Sequence, residues 1–279
     1  MRKQRKQFLA LVAAPAAVCA MALASAPAAS ASVIPGVVTS DHAGIAGYYA
    51  NNDGQTRIRD AKATFTVTAE MEQLATTAVG TGPVGVDLCN PNNGAALAAA
   101  LAYSTADSAF EFRWADGTVT GAPDACVDGL AGLEPGSEFT GNVNHLNLAV
   151  AVGDTVSVEV YYNPWNHDVT ATACDITQDA CSQHHLYPGA ENWREAGVGV
   201  IDNNNACLVP PATANEAVAF SFARFTRYTA TGSGLGLLGF DLHSVTSQNA
   251  ANNVVLLPSA LSGAHGSQFS ISAGISTCV

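Results

Sequence analysis

The chain has 279 residues, is 48% hydrophobic and 12% charged, and carries a formal net charge of −12. Four of its eleven Lys and Arg residues (Arg2, Lys3, Arg5 and Lys6) lie at the extreme N-terminus, and residues 1–31 hold no acid, so the remainder sets seven basic against twenty-three acidic residues, a balance of −16. Such an excess excludes attachment to nucleic acid or to an anionic membrane through bulk electrostatics.

Residues 1–31 read as a signal peptide. A positive start is followed by an apolar stretch from Phe8 to Ala24, then by the small-residue cleavage site Ala29-Ser30-Ala31. A mature chain beginning near Ser32 is expected, secreted and extracellular. No later stretch is long and apolar enough to span a bilayer as a helix. Six cysteines remain after Cys19 leaves: Cys89, Cys126, Cys174, Cys181, Cys207 and Cys278. An even count in an exported chain points to three disulfides, and fifteen pairings are open. Cys174 and Cys181 flank a turn and form the natural local pair, whereas Cys89 with Cys126 is one option for the rest. No C-x-x-C is present, so neither zinc nor any other cofactor is expected.

Residues 32–42 read as a mobile lead-in and Ile45–Tyr49 as a first strand, closed by a turn at Asn51-Asn52-Asp53-Gly54. From Arg57 to Thr68, Ala63, Phe65 and Val67 alternate with Thr64, Thr66 and Thr68, as in a half-buried strand. Residues 69–78 are a helical turn or a loop. Pro83–Leu88 is a short buried strand, and Asn90–Gly94 is a turn. Ala95–Tyr103 is ambiguous: its alanines and leucines favour helix by propensity, while the surrounding pattern favours a strand, which is the reading adopted.

Ser108–Trp114 places Phe110, Phe112 and Trp114 on one face and Glu111 and Arg113 on the other. Residues 116–144, rich in Gly, Pro and acids, read as a surface insertion. Leu146–Tyr162 reads as a hairpin turning at Gly153-Asp154. A loop with Trp165 and His167 follows, then a strand from Asp168 to Cys174. His184 and His185 read as loop surface, with a metal role the lesser alternative. Residues 202–211 form a turn region. Ala217–Tyr228 is a strand with Phe220 and Phe222 on one face. Residues 233–279 form a C-terminal extension with two strands, Val254–Leu257 and Phe269–Ile275, packed on the main domain of residues 32–232.

The run from Trp193 to Ile201 is the most informative. As a strand it puts Ala196, Val198 and Val200 on one face and Glu195, Gly197, Gly199 and Ile201 on the other. Interior glycines let a backbone or ligand come close, which makes Glu195 a candidate catalytic carboxylate. The competing reading makes Glu195 a solvated strand residue and the glycines a bulge. About ten alternating strands with almost no helix indicate an all-β fold, an antiparallel double-sheet sandwich, expected as a monomer.

Several stretches, in order, resemble the glutamic peptidases, the eqolisins of peptidase family G1, particularly secreted actinobacterial members. They are Ala46-Gly47-Tyr48 through Ala61–Val67, Val84-Gly85-Val86-Asp87, Ser108–Trp114, Val152–Val156 with Tyr161-Tyr162-Asn163, Arg194–Val198, and Ala219–Thr226. The resemblance implies a concanavalin-like sandwich with a concave face and acid endopeptidase chemistry. A glutamate there acts as general base on water, and a glutamine holds the water and the tetrahedral intermediate. Glu195 falls at the glutamate's position.

The glutamine does not carry over. Its region here is the apolar run Ala95–Leu101, and no Gln occurs between Gln73 and Gln178. Pro83 stands where that family has tryptophan, and Leu88 where it has glycine. Losing one oxyanion donor costs roughly two to three orders of magnitude in rate. The first expectation is therefore a degenerate relative that binds an extracellular peptide or glycan without efficient catalysis. The alternative is an active acid endopeptidase, with Tyr103 or Gln55 as substitute donor. A weaker alternative is a carbohydrate-binding lectin, with Trp114, Tyr162 and Trp165 stacking on sugar; no calcium loop of the D-x-[DN]-x-[DN]-G type supports it.

Overall fold

The computed structural model describes residues 38–42, 45–51, 57–69, 71, 83–104, 106–119, 139–186, 191–201, 216–228, 236–248 and 254–273. The predicted signal peptide, Gln55, the 202–211 turn region and Cys126, Cys207 and Cys278 lie outside them.

Among the described residues there are fifteen strands: β1 (Val38–His42), β2 (Ile45–Asn51), β3 (Ile58–Thr66), β4 (Val84–Asn90), β5 (Ala95–Ser104), β6 (Ala109–Val119), β7 (Phe139–Val150), β8 (Thr155–Asn163), β9 (Asp168–Asp175), β10 (Ala180–Leu186), β11 (Glu195–Ile201), β12 (Glu216–Arg227), β13 (Leu242–Gln248), β14 (Val254–Pro258) and β15 (Phe269–Ala273). A turn of 3-10 helix spans Ala264–Gly266. The ladder runs β10-β9-β8-β3-β12-β15-β14-β13-β2-β11-β4-β5-β6-β7, antiparallel throughout. β1 is added to β13 in parallel, so part of the expected lead-in is strand.

The ladder folds over so that its two halves share one core. β3 contributes Ala61, Ala63 and Phe65, and β8 contributes Val156, Val158, Val160 and Tyr162. From the other half come Val86 and Leu88 of β4, Leu97 and Leu101 of β5, and Phe112 and Trp114 of β6. Alternation therefore predicts the inward faces of β3, β6 and β8 correctly, and the all-β antiparallel sandwich is the observed architecture.

Ala95–Ser104 is strand, paired with β4 through Ala98↔Asp87 and with β6 through Ala98↔Ala115. Helix propensity is overridden because both faces of β5 are buried. Alanine, with no bulk beyond Cβ, suits a strand covered on both sides.

Several sequence expectations are corrected. The predicted Leu146–Tyr162 hairpin is a corner. β7 pairs with β6 and β8 with β3, and these lie at distant places in the ladder. The turn passes the chain from one half to the other, so the two alternating apolar sets join one core from opposite sides. It docks on the end of β3, where Gly153 N donates to Val67 O at 2.8 Å and Val67 N donates to Asp154 O at 2.8 Å.

The predicted insertion at 116–144 is partly sheet, with β6 and β7 paired through Thr118↔Thr140. His184 and His185 lie on strand β10, not in a loop. A bulge between Phe220 and Phe222 changes the face of β12. Phe220, Ala223 and Phe225 are therefore buried in the core, and Phe222 is not. The C-terminal segment supplies three strands rather than two, seated within the ladder between β2 and β12. Cys174 and Cys181 form the expected disulfide, as direct partners of β9 and β10 with Cα atoms 4.1 Å apart. Cys89 is disulfide-bonded too.

Candidate functional site

β11 lies between β2 and β4, and both ladders run through it without a register shift. Its glycines therefore mark no bulge. Ala196, Val198 and Val200 enter the core, which turns Glu195, Gly197 and Gly199 to the face away from it. Glu195 opposes Cys89, Gly197 opposes Asp87, and Gly199 opposes Gly85. The same row continues from Asp87 to Ala98 and Ala115, and from Gly85 to Ala100 and Arg113.

Glu195 is 5% exposed and Asp87 1%, so Glu195 is not a solvated strand residue. Two carboxylates share this buried face on adjacent strands, at diagonal positions within reach of long side chains. Gly197 makes room for the second. A Cβ there would fall 2.3 Å from Asp87 Oδ1, so the Asp87 carboxyl occupies the side-chain space next to Glu195 on its own strand. Oε2 of Glu195 and Oδ1 of Asp87 are both shielded from solvent.

The floor between these carboxylates and the far edge is small. Gly85, Ala98, Ala100 and Ala115 carry nothing beyond a methyl group and are buried. At the far edge, Arg113 Nε donates to Glu111 Oε1 at 2.7 Å, and His145 Nδ1 lies 3.1 Å from Glu111 Oε2. At the near edge, Tyr49 of β2 packs on His243 of β13, ring centroids 5.9 Å apart. No group of three or more His, Cys, Asp or Glu suited to a metal ion occurs among the described residues.

The predicted aromatic platform is not brought together at this face. Trp114 is in the core and stacked on His184 at 4.1 Å. Tyr162 is also in the core, its hydroxyl 2.7 Å from His167 Nδ1. Trp165, at the tip of the β8–β9 turn, is 89% exposed. Tyr103 lies on the core face of β5 against Phe110, the opposite side of the sheet from Glu195, so it does not supply the missing donor.

Sequence reasoning did not single out Asp87. Its signal was a lone carboxylate in the otherwise apolar strand Val84–Leu88, in phase with Gly85 rather than with the core-facing valines. Burying an acid in a strand is costly, so a carboxylate at such a position calls for a role.

No protein-family model matches the chain, and no curated protein matches it. Among solved structures the chain is similar to SCP-B, a member of the eqolisin family of peptidases, in a complex with the tripeptide Ala-Ile-His. The identity is 11% and the TM-score 0.46, over 83% of this chain and 98% of that one.

Proposed function

We propose that this chain is a secreted acid hydrolase of the glutamic-peptidase type, slow rather than efficient, that takes an extended peptide on the Glu195 face. The observation that carries the reading is the buried Glu195 on a face where Gly85, Gly197 and Gly199 carry no side chain. An ionised Glu195 can accept a proton from water as it attacks a peptide carbonyl. The alanine run at Ala95–Leu101 offers no amide to the developing oxyanion, which is why turnover is expected to be low. Supporting a peptide over a glycan, Trp114 and Tyr162 are committed to the core. Supporting secretion are the signal-like N-terminus and the Cys174–Cys181 disulfide.

The test is incubation of residues 32–279 with denatured casein from pH 2 to 5. Slow cleavage that disappears in Glu195→Gln is expected. A wild-type protein inert across that range, or a Glu195→Gln variant as active as wild type, overturns the reading.

A further inference from the structure

The peptidase reading leaves one catalytic role empty: the group that faces the carbonyl oxygen. We propose that Asp87 fills it as the second catalytic residue, donating from its protonated carboxyl to the carbonyl oxygen while ionised Glu195 takes the proton of the attacking water. This inference rests on the peptidase reading.

The geometry is specific. Asp87 stands one strand from Glu195 at a diagonal position on the same face. Its carboxyl lies over Gly197, the next position of β11 on that face, where any side chain would displace it. Ala98, its partner on β5, adds only a methyl group beside it. Two carboxyl groups so placed do not ionise together readily; one keeps a proton while the other is charged. A general base and a hydrogen-bond donor thus come from the same residue type at the same pH.

Among the other ionisable groups on this face, Tyr49 of β2 opposes Gly197 and so stands diagonally to Glu195 from the other side. His243 of β13, Glu111 and Arg113 of β6, and His145 of β7 stand further along it. β5 adds none there, and Cys89 is held in a disulfide.

The steps balance. Water oxygen bonds to the carbonyl carbon as Glu195 accepts a water proton. The carbonyl π pair moves to oxygen, which receives the Asp87 proton, giving a gem-diol with Glu195 protonated and Asp87 ionised. Glu195 then protonates the amide nitrogen, the C–N bond breaks, and Asp87 recovers its proton from a diol hydroxyl. The products are one carboxylic acid and one amine.

Four proteins are compared on denatured casein from pH 2 to 5: wild type, Glu195→Gln, Asp87→Ala and Asp87→Asn, each first checked for a wild-type-like thermal transition. Asp87→Ala is expected to lower kcat by about 100-fold or more with little change in KM. Asp87→Asn, whose amide donates without titrating, is expected to retain more activity than Asp87→Ala and to lose the high-pH limb of the profile. That change of profile separates a donor from a residue that only holds the fold.

If Glu195→Gln is inactive while Asp87→Ala matches wild type, the Asp87 assignment falls and the peptidase reading stands. If wild type is inert, the reading falls and takes the catalytic assignment with it. Carboxyl 13C NMR gives a readout independent of turnover. Titration of Asp87 is expected to shift in Glu195→Gln, and an unchanged titration overturns the pairing.

Discussion

At Gly197 one added methyl would fall 2.3 Å from Asp87 Oδ1, and at Gly199 it would fall 2.3 Å from the backbone oxygen of Ala46. The two clashes differ in what can yield. A carboxylate can swing away at the end of its side chain, whereas a paired strand cannot move without breaking its ladder. Gly197→Ala is therefore expected to destabilise by roughly 1–3 kcal/mol, the usual range for overpacking, and to displace Asp87. Gly199→Ala is expected to lower the melting temperature further. Differential scanning calorimetry of both variants checks the order. Equal melting temperatures for the two would show that the carboxyl is held as firmly as the backbone.

At the scale of elements, the face of β3, β8 and β12 turned away from the core carries a charged network that alternation alone did not flag. Arg224 Nε donates to Asp60 Oδ2 at 2.9 Å and its Nη2 to Glu159 Oε1 at 3.0 Å. Lys62 Nζ donates to Glu159 Oε2 at 3.0 Å, and Thr226 Oγ1 to Asp60 Oδ2 at 3.0 Å. Burial, and then the charge of Glu159, push the Asp60 carboxyl up to about 7 against the partial relief given by Arg224 and Thr226. Burial also opposes ionisation of Glu159, but Lys62, Asp60 and Arg224 outweigh it and hold that group below its ordinary value.

The signs follow by linkage. Between its ordinary value of 3.8 and about 7, folded Asp60 binds more proton than the unfolded chain. Its contribution to stability is therefore full below that interval and is lost as pH rises through it. Glu159 acts the other way, contributing above its ordinary value of 4.5 and losing that contribution as pH falls through its lowered value. Urea unfolding of wild type and Asp60→Asn at pH 4 and pH 7 checks this. The wild type is expected to lose stability from pH 4 to pH 7 relative to Asp60→Asn, and parallel pH curves would refute it.

At the scale of the molecule, the last strands hold the ladder together. β13 pairs with β2 and β15 with β12, so the route from one half of the ladder to the other runs through residues 242–273. Deleting residues 233–279 would leave β2 and β12 with unpaired backbone edges and remove Leu256, Phe269 and Ile271 from the core. The truncated chain is expected to lose cooperative thermal unfolding, measured by circular dichroism. A sharp transition in residues 32–232 would show instead that the two halves close without it.

Local chemistry made much of this legible in advance. Alternation marked β3, β8 and β9, the turn chemistry of Asn90–Gly94 separated β4 from β5, and the spacing of Cys174 and Cys181 around a turn announced their bond. It also put Glu195 on a face with two glycines, because side-chain direction in a strand depends only on the strand itself. Pairing does not. Whether the chain after Val150 folds back as a hairpin or crosses to the other half depends on which edge offers the better partner, and β3 wins that competition for β8. The bulge of β12 and the strand state of the alanine run likewise come from neighbours distant in sequence. So does the placement of Asp87 and Glu195 on one face. The two residues are 108 positions apart, and only the register of β4 on β11 sets one at the diagonal of the other.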